Sequence, residues 1–253
     1  DGHGWFGSGR RSDKITSGRV MDMILEVIAT SLEDAVVAER AGASRLELCA
    51  ALSEDGLTPS LGLIEAVVEG VKIPVNVIVR PHNRGFHYTE SDLAVMLTDI
   101  LHIKCAGAAG IVIGALTKDN KVDTVAISLL LKEAGDMDVT FHRAFDFVDD
   151  QTEALETIAE FPQINRVLTS GGQAPAPESV EQLKKLVEQC QNKTVQILAG
   201  NGMTPVSLFS LVAETGVDEV HFGSGVRINQ SFMHPINPKI IIELKSKLKQ
   251  FDK

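Results

Sequence analysis

Eight short runs of β-branched and other apolar residues, each followed by a stretch with helical spacing, constrain this chain more than any other feature of its sequence. Strands are predicted over residues 24–29, 45–49, 74–80, 110–115, 138–142, 166–170, 194–199 and 219–223. Helices are predicted over 32–41, 61–71, 90–106, 123–134, 151–160, 178–190, 204–214 and 238–250. The run at 74–80 is dominated by Val and Ile, which suits a strand buried on both faces, as in a parallel sheet. Ser31 stands where the first helix needs an N-cap, and Gly42 where it must stop. Ala106-Gly107-Ala108 and Thr215-Gly216-Val217 mark further helix ends. Eight such units place the chain in the α/β class as a (β/α)8 TIM barrel, rather than an open doubly wound sheet with extra units. Its 253 residues suit a single domain of that kind.

Residues 1–22 read differently from the rest. Glycines at 2, 4, 7, 9 and 18, scattered Arg and no apolar period make them an expected disordered leader, without the apolar core of a secretory signal. Residues 23–253 form the expected barrel domain. The formal charge of −10 argues against a nucleic-acid partner, since phosphate binding wants clustered Lys and Arg. No apolar run is long enough to predict a membrane span. Cys49, Cys105 and Cys190 are widely spaced without a C-x-x-C pair, which fits free thiols in a reducing compartment. Cys105 and Cys190 fall in helical stretches and are expected to be core thiols.

In a barrel of this type the C-terminal ends of the strands form one surface, where ligands bind. The stretch Val139-Thr140-Phe141-His142-Arg143-Ala144-Phe145-Asp146 carries an apolar strand straight into three ionisable side chains. Other predicted strands bring Glu26, Glu47 with Cys49, Arg80 and His221. Glu26 or Glu47 can accept a proton, His142 can shuttle one, and Arg80 with Arg143 can hold a carboxylate or phosphate, with Asp146 close by. The alternative is that so many opposite charges neutralise one another as an ion-pair network. Gly200 and Gly202 after the seventh strand, and Gly223 and Ser224 after the eighth, lie in loops that commonly bind phosphate in this fold. Tight turns needing positive φ explain the same glycines. No Walker loop, no G-x-G-x-x-G opening a helix, no G-x-S-x-G elbow and no H-E-x-x-H is present, so no nucleotide cofactor is indicated.

Arg45-Leu46-Glu47-Leu48-Cys49-Ala50, Ser53-Glu54-Asp55-Gly56-Leu57-Thr58-Pro59-Ser60, Val79-Arg80-Pro81, Gly114-Ala115-Leu116-Thr117, Thr140-Phe141-His142-Arg143-Ala144-Phe145-Asp146 and Val167-Leu168-Thr169-Ser170-Gly171 closely resemble the CutC family of copper homeostasis proteins. The resemblance runs from Met23 to about Val226. It implies a TIM barrel, a cytoplasmic location, a link to copper tolerance and a homo-oligomer. In members of the family proposed to bind copper(I), one cysteine ends the first strand and another the second. Here Cys49 keeps the second position, and Ile28 stands in the first. Copper(I) prefers thiolate, thioether and imidazole ligands, so Cys49 is the metal candidate, with His142, His221 or a methionine to complete it. Two expectations follow: a copper homeostasis protein, or a barrel enzyme acting on a small phosphorylated or carboxylated metabolite.

Overall fold

The computed structural model of the protein describes residues 22–252, and the leader expected at 1–22 lies, Asp22 apart, outside them. Eight strands, β1 (Ile24–Ala29), β2 (Arg45–Leu48), β3 (Val75–Ile78), β4 (Gly110–Ile113), β5 (Asp138–Phe141), β6 (Arg166–Thr169), β7 (Gln196–Ala199) and β8 (Glu219–Phe222), pair in parallel and in chain order. β1 pairs with both β2 and β8, which closes the barrel. Each strand is followed by a helix: α1 (Leu32–Ala41), α2 (Leu61–Gly70), α3 (Glu90–Cys105), α4 (Thr124–Ala134), α5 (Gln151–Ala159), α6 (Val180–Gln189), α7 (Leu208–Thr215) and α8 (Pro238–Leu248). The closed (β/α)8 barrel replaces the open-sheet alternative. No helix among the described residues is long and apolar enough to cross a membrane.

Local chemistry sets the element ends. The Ser31 side chain accepts the Asp34 backbone N–H, and Gly42 stops α1 in the left-handed region at φ 104°. The seventh helix starts at Leu208 rather than 204, because Thr204 and Ser207 bond to each other's side chains and backbone in a turn that competes with helix. The sixth starts at Val180, after a single 3-10 turn at Ala176–Glu178. Several strands end a residue or two short of their predicted tips. Their backbone pattern nevertheless persists: the N–H groups of Cys49, Val79, His142 and Gly200 still donate to Ala29, Val112, Ile113 and Thr169 of the neighbouring strands. The in-out alternation therefore carries through to the tips.

Residues such as Leu25, Val27, Leu46, Val77, Ile111, Phe141, Val167 and Val220 are buried in the main apolar core. The lumen is different. Where barrels of this type usually stack branched apolar side chains, the lower lumen here holds a buried lattice of charge. Arg45 binds Glu26 through Nε and Glu219 through Nη2, the latter at 2.6 Å. Arg166 lies 2.9 Å from Glu219 and bonds Asp138, which also accepts the Asn76 amide at 2.7 Å. Above this lattice sits an apolar ring of Ile28, Cys49, Ile78 and Val112. The self-neutralising network anticipated for the strand tips thus exists, one layer below them.

Burial alone would raise the Glu26 carboxyl, but Arg45 and the His221 hydrogen bond outweigh it and hold it well below the usual carboxylate range. A depressed folded pKa contributes stability above the unfolded value of about 4.3, and that stability is lost as pH falls below it. Replacing Arg45 by Met removes the guanidinium shared by two buried carboxylates and leaves Glu26 with His221 and Glu219 with Arg166. The expected loss, measured by urea unfolding near neutral pH, is on the order of 3–5 kcal/mol, and the variant should show less further loss on acidification below about pH 4.3 than wild type. A loss under about 1 kcal/mol would mark the pair as no stronger than a surface salt bridge.

Candidate functional site

At the C-terminal end of the barrel opens a cavity of about 630 Å3. Glu47, Cys49, Arg80, His142, Arg143, Gly202, Gly223 and Ser224 all line it, so the expected convergence of strand tips is present. Glu26, Asp146 and Gly200 are not among its lining residues. Glu26 lies in the charge lattice below. Asp146 is buried and turned to the end of β6, where its carboxylate accepts the Thr169 hydroxyl, the Ser170 N–H at 3.2 Å and the Ser170 hydroxyl at 3.0 Å. It also anchors Arg143, whose Nε donates to Oδ2 at 2.7 Å. Gly200 is packed against Leu168 and His221, where a β-carbon would meet atoms at 2.7 Å and 3.1 Å.

The floor of the cavity is a carboxylate–imidazole–carboxylate line. His221 Nδ1 lies 2.8 Å from Glu26 Oε1, and its Nε2 faces Glu47 Oε2 at 3.7 Å. The Cys49 thiol donates to that same Glu47 oxygen at 3.3 Å. Burial works against a charged His221, yet Glu47 and Glu26 on its two sides raise its proton affinity. Burial also pushes the Glu47 carboxyl up, and the nearby Glu26 charge adds to it against the pull of His221. The Cys49 thiol is raised well above its usual value by burial and by the Glu47 carboxylate. Glu47 is therefore a carboxyl of raised basicity, backed by an imidazole that a second, firmly ionised carboxylate holds in place. The sequence reading names His221 only as a strand-end residue and spare metal ligand. Its position across the barrel closure from Glu26, 195 residues away, makes it central.

His142 occupies the wall. Its Nδ1 accepts the Ala144 N–H at 3.1 Å, while its Nε2 is buried without a hydrogen-bond partner among the described residues. Burial, with the Arg80 and Arg143 charges, pushes its pKa down to about 3, so the ring is neutral near pH 7. Gly114 makes the space: a β-carbon there would stand 2.5 Å from ring atoms of His142. Phe86 stacks against His142 with centroids 5.1 Å apart and lies 5.0 Å from the Arg80 guanidinium carbon. Phe86 sits in the β3–α3 loop, which has no periodicity, and no strand-parity argument could reach it.

The rim is basic, although the whole chain is acidic. Arg80, Arg84, Lys118 and Arg143 line the cavity against Asp55 and Glu47. Arg80 is immobilised by donating through Nη1 to the Glu54 and Gly56 carbonyls, at 2.7 Å and 3.1 Å. Phe232, from the segment after β8, is partly buried against the apolar ring, held by Arg227 at 5.2 Å. Such a cavity, apolar in its waist, basic at its rim and acid-base active at its floor, suits a small anion.

The sequence of this protein matches the CutC family over residues 23–226. The chain belongs to the CutC family. It is 41% identical over 217 residues, 85% of this chain and 79% of the relative, to the Homo sapiens copper homeostasis protein cutC homolog. It is 41% identical over 213 residues, 84% of this chain and 86% of the relative, to a CutC family protein of Pasteurella multocida. The crystal structure of a Streptococcus agalactiae protein named for copper homeostasis, CutC, superposes with a TM-score of 0.74 at 32% identity, covering 79% of this chain and 98% of that one. A phosphoribosylanthranilate isomerase from Thermotoga maritima shares the fold, with a TM-score of 0.61 over 90% of this chain and 99% of that one, at 13% identity.

The described residues form no assembled copper(I) centre. Cys49 is a buried, protonated thiol spent on Glu47, and the apolar side chain of Ile28 packs in the same ring. Among the described residues no group of three or more His, Cys, Asp or Glu is placed to hold a metal ion. Of the helical cysteines, Cys105 is exposed rather than a core thiol, as the last residue of α3, while Cys190, just past the end of α6, is half-buried and packs against the core. Burial raises the Cys190 thiol to about 11. A thiol reagent applied to the native protein is therefore expected to label Cys105 first, Cys190 more slowly and Cys49 only on unfolding. Rapid native labelling of Cys49, read by mass spectrometry, would contradict the buried thiol.

Proposed function

We propose that the mouth of this CutC barrel binds and converts a small phosphorylated or carboxylated metabolite, and that any part this chain plays in copper homeostasis does not run through a copper(I) ion on Cys49. The supporting observation is the Glu26–His221–Glu47 line beneath a basic rim. Glu47 is the proton acceptor and donor, and His221 with Glu26 sets its basicity. Arg143 and Arg80, with Arg84 and Lys118 farther out, take the anionic group of the ligand. The free thiols support a cytoplasmic setting.

Copper binding at Cys49 is the competing reading, supported by the names of the relatives and by the position of that cysteine. Copper(I) titrated against a competing chelator is expected to give the same weak affinity for wild type and Cys49→Ser. A clear Cys49-dependent affinity would favour the metal instead. A thermal-shift screen of phosphate esters and carboxylates tests the first reading. A ligand at about 100 times its Kd adds about 2.7 kcal/mol, which for a domain of this size raises Tm by roughly 5–10 °C. Arg143→Ala should lose most of that shift. A hit whose shift survives both Arg143→Ala and Arg84→Ala would place binding elsewhere.

A further inference from the structure

The proposed metabolite site leaves the reaction open, and the wall histidine narrows it. A buried imidazole whose Nδ1 accepts a backbone N–H must carry its proton on Nε2. His142 lines the cavity and is 4% exposed as a residue, and its Nε2 is buried without a partner among the described residues. Among the described residues Arg80 and Arg143 bring positive charge to the ring and Phe86 and Phe141 bring aromatic rings, surroundings that suit a neutral donor. An imidazole fixed in this way cannot act as a base at neutral pH. It can only donate a hydrogen bond to an oxygen. Across the floor, Glu47 supplies the base. A neutral N–H donor and a carboxylate of raised basicity in one cavity form the pair needed to move a proton next to a carbonyl group.

Resting on the reading of the mouth as a metabolite site, we propose that it takes an anionic aldehyde or ketone, with His142 Nε2–H donating to the carbonyl oxygen and Glu47 exchanging the proton on the adjacent carbon. The Glu47 carboxylate takes the proton from that carbon. The C–H electron pair becomes the new carbon–carbon π bond, and the carbonyl π pair moves onto the oxygen that His142 holds. For exchange, the proton on Glu47 trades with solvent hydrogen and is returned to the original carbon; for isomerisation of a hydroxycarbonyl, Glu47 returns its proton to the neighbouring carbon, and the hydroxyl proton passes to the first oxygen. No oxidant, reductant or further reactant is consumed. Gly114 is a positioning residue in this scheme, since any side chain there would displace the imidazole.

The test has two arms. In deuterium oxide, the full chain is incubated with dihydroxyacetone phosphate, hydroxypyruvate and pyruvate, and loss of the C–H signals is followed by proton NMR beside thermal-shift binding of the same compounds. Wild type is expected to exchange at least one of them. Glu47→Gln should slow exchange by about 100-fold or more while still binding, and His142→Leu by about 100-fold. His142→Gln, which restores an N–H near the position of Nε2, should recover about tenfold of that loss. Compounds that bind wild type without exchange, or exchange that survives Glu47→Gln, would overturn this inference while leaving the binding site standing. Binding by none of them would remove this substrate class. In the second arm, nitrogen NMR of His142 should show one neutral ring, protonated on Nε2, from about pH 5 to about pH 8. A ring that titrates within that range, or carries its proton on Nδ1, sinks the proposal whatever the ligand.

Discussion

Arg45 stands between two carboxylates inside the barrel, and the character of the site follows from that placement. A guanidinium buried in the lumen is tolerable only if it is paired, and two buried carboxylates are tolerable only if a cation lies between them. With Arg166 and Asp138 the lattice sets two guanidinium groups among three carboxylates. Once Arg45 fixes Glu26 as an anion, the remaining Glu26 oxygen is directed at His221, and the histidine becomes a held, proton-rich imidazole. Glu47, one step higher, meets that imidazole instead of solvent. The chemistry at the floor is thus set by charges that no ligand touches.

This layering explains which strand-end residues reach the cavity. On β1, Glu26 and Ile28 both point inward, but Glu26 falls in the charged layer and Ile28 in the apolar ring. On β2 the stagger of a closed barrel lifts the same parity by one step, so Ile28 pairs with Glu47 in register while Glu26 pairs with Arg45. Two carboxylates that look equivalent in the sequence therefore play unequal parts: one is sealed into a lattice and the other looks into the cavity. Register between strands distant in the chain decides this, and no local pattern carries that information.

What the sequence showed was whatever depends on short-range order. The strand-helix alternation, the Ser31 cap and the Gly42 stop all depend on neighbouring residues, and the barrel followed from counting the units. Glu47, Cys49 and His142 line the cavity in keeping with strand alternation, because ladder-type hydrogen bonds persist past the formal strand ends. Arg143 and Asp146 lie beyond that order, in the 3-10 turn Arg143–Phe147, where parity no longer applies. There Asp146 turned to the β6 backbone and Arg143 to the rim. His221 and Phe86 escape local patterns for related reasons: Glu26, the partner of one, lies at the opposite end of the chain, and the other sits in a loop and packs on His142 and Phe147 from a distant segment.

Ile28, near the end of β1, fits this site. An isoleucine beside Cys49 keeps the waist of the cavity apolar. The thiol then has one polar neighbour, Glu47, and donates to it. Such a donor bond favours the charged carboxylate, while burial and the Glu26 charge favour the neutral acid. Burial and the Glu26 charge prevail, so the Glu47 carboxyl sits above the ordinary carboxylate value, and a group shifted in this way is suited to gaining and losing a proton. In this setting Cys49 acts through hydrogen bonding on the carboxyl beside it, a role that needs a protonated thiol and would be lost if a metal took the sulfur.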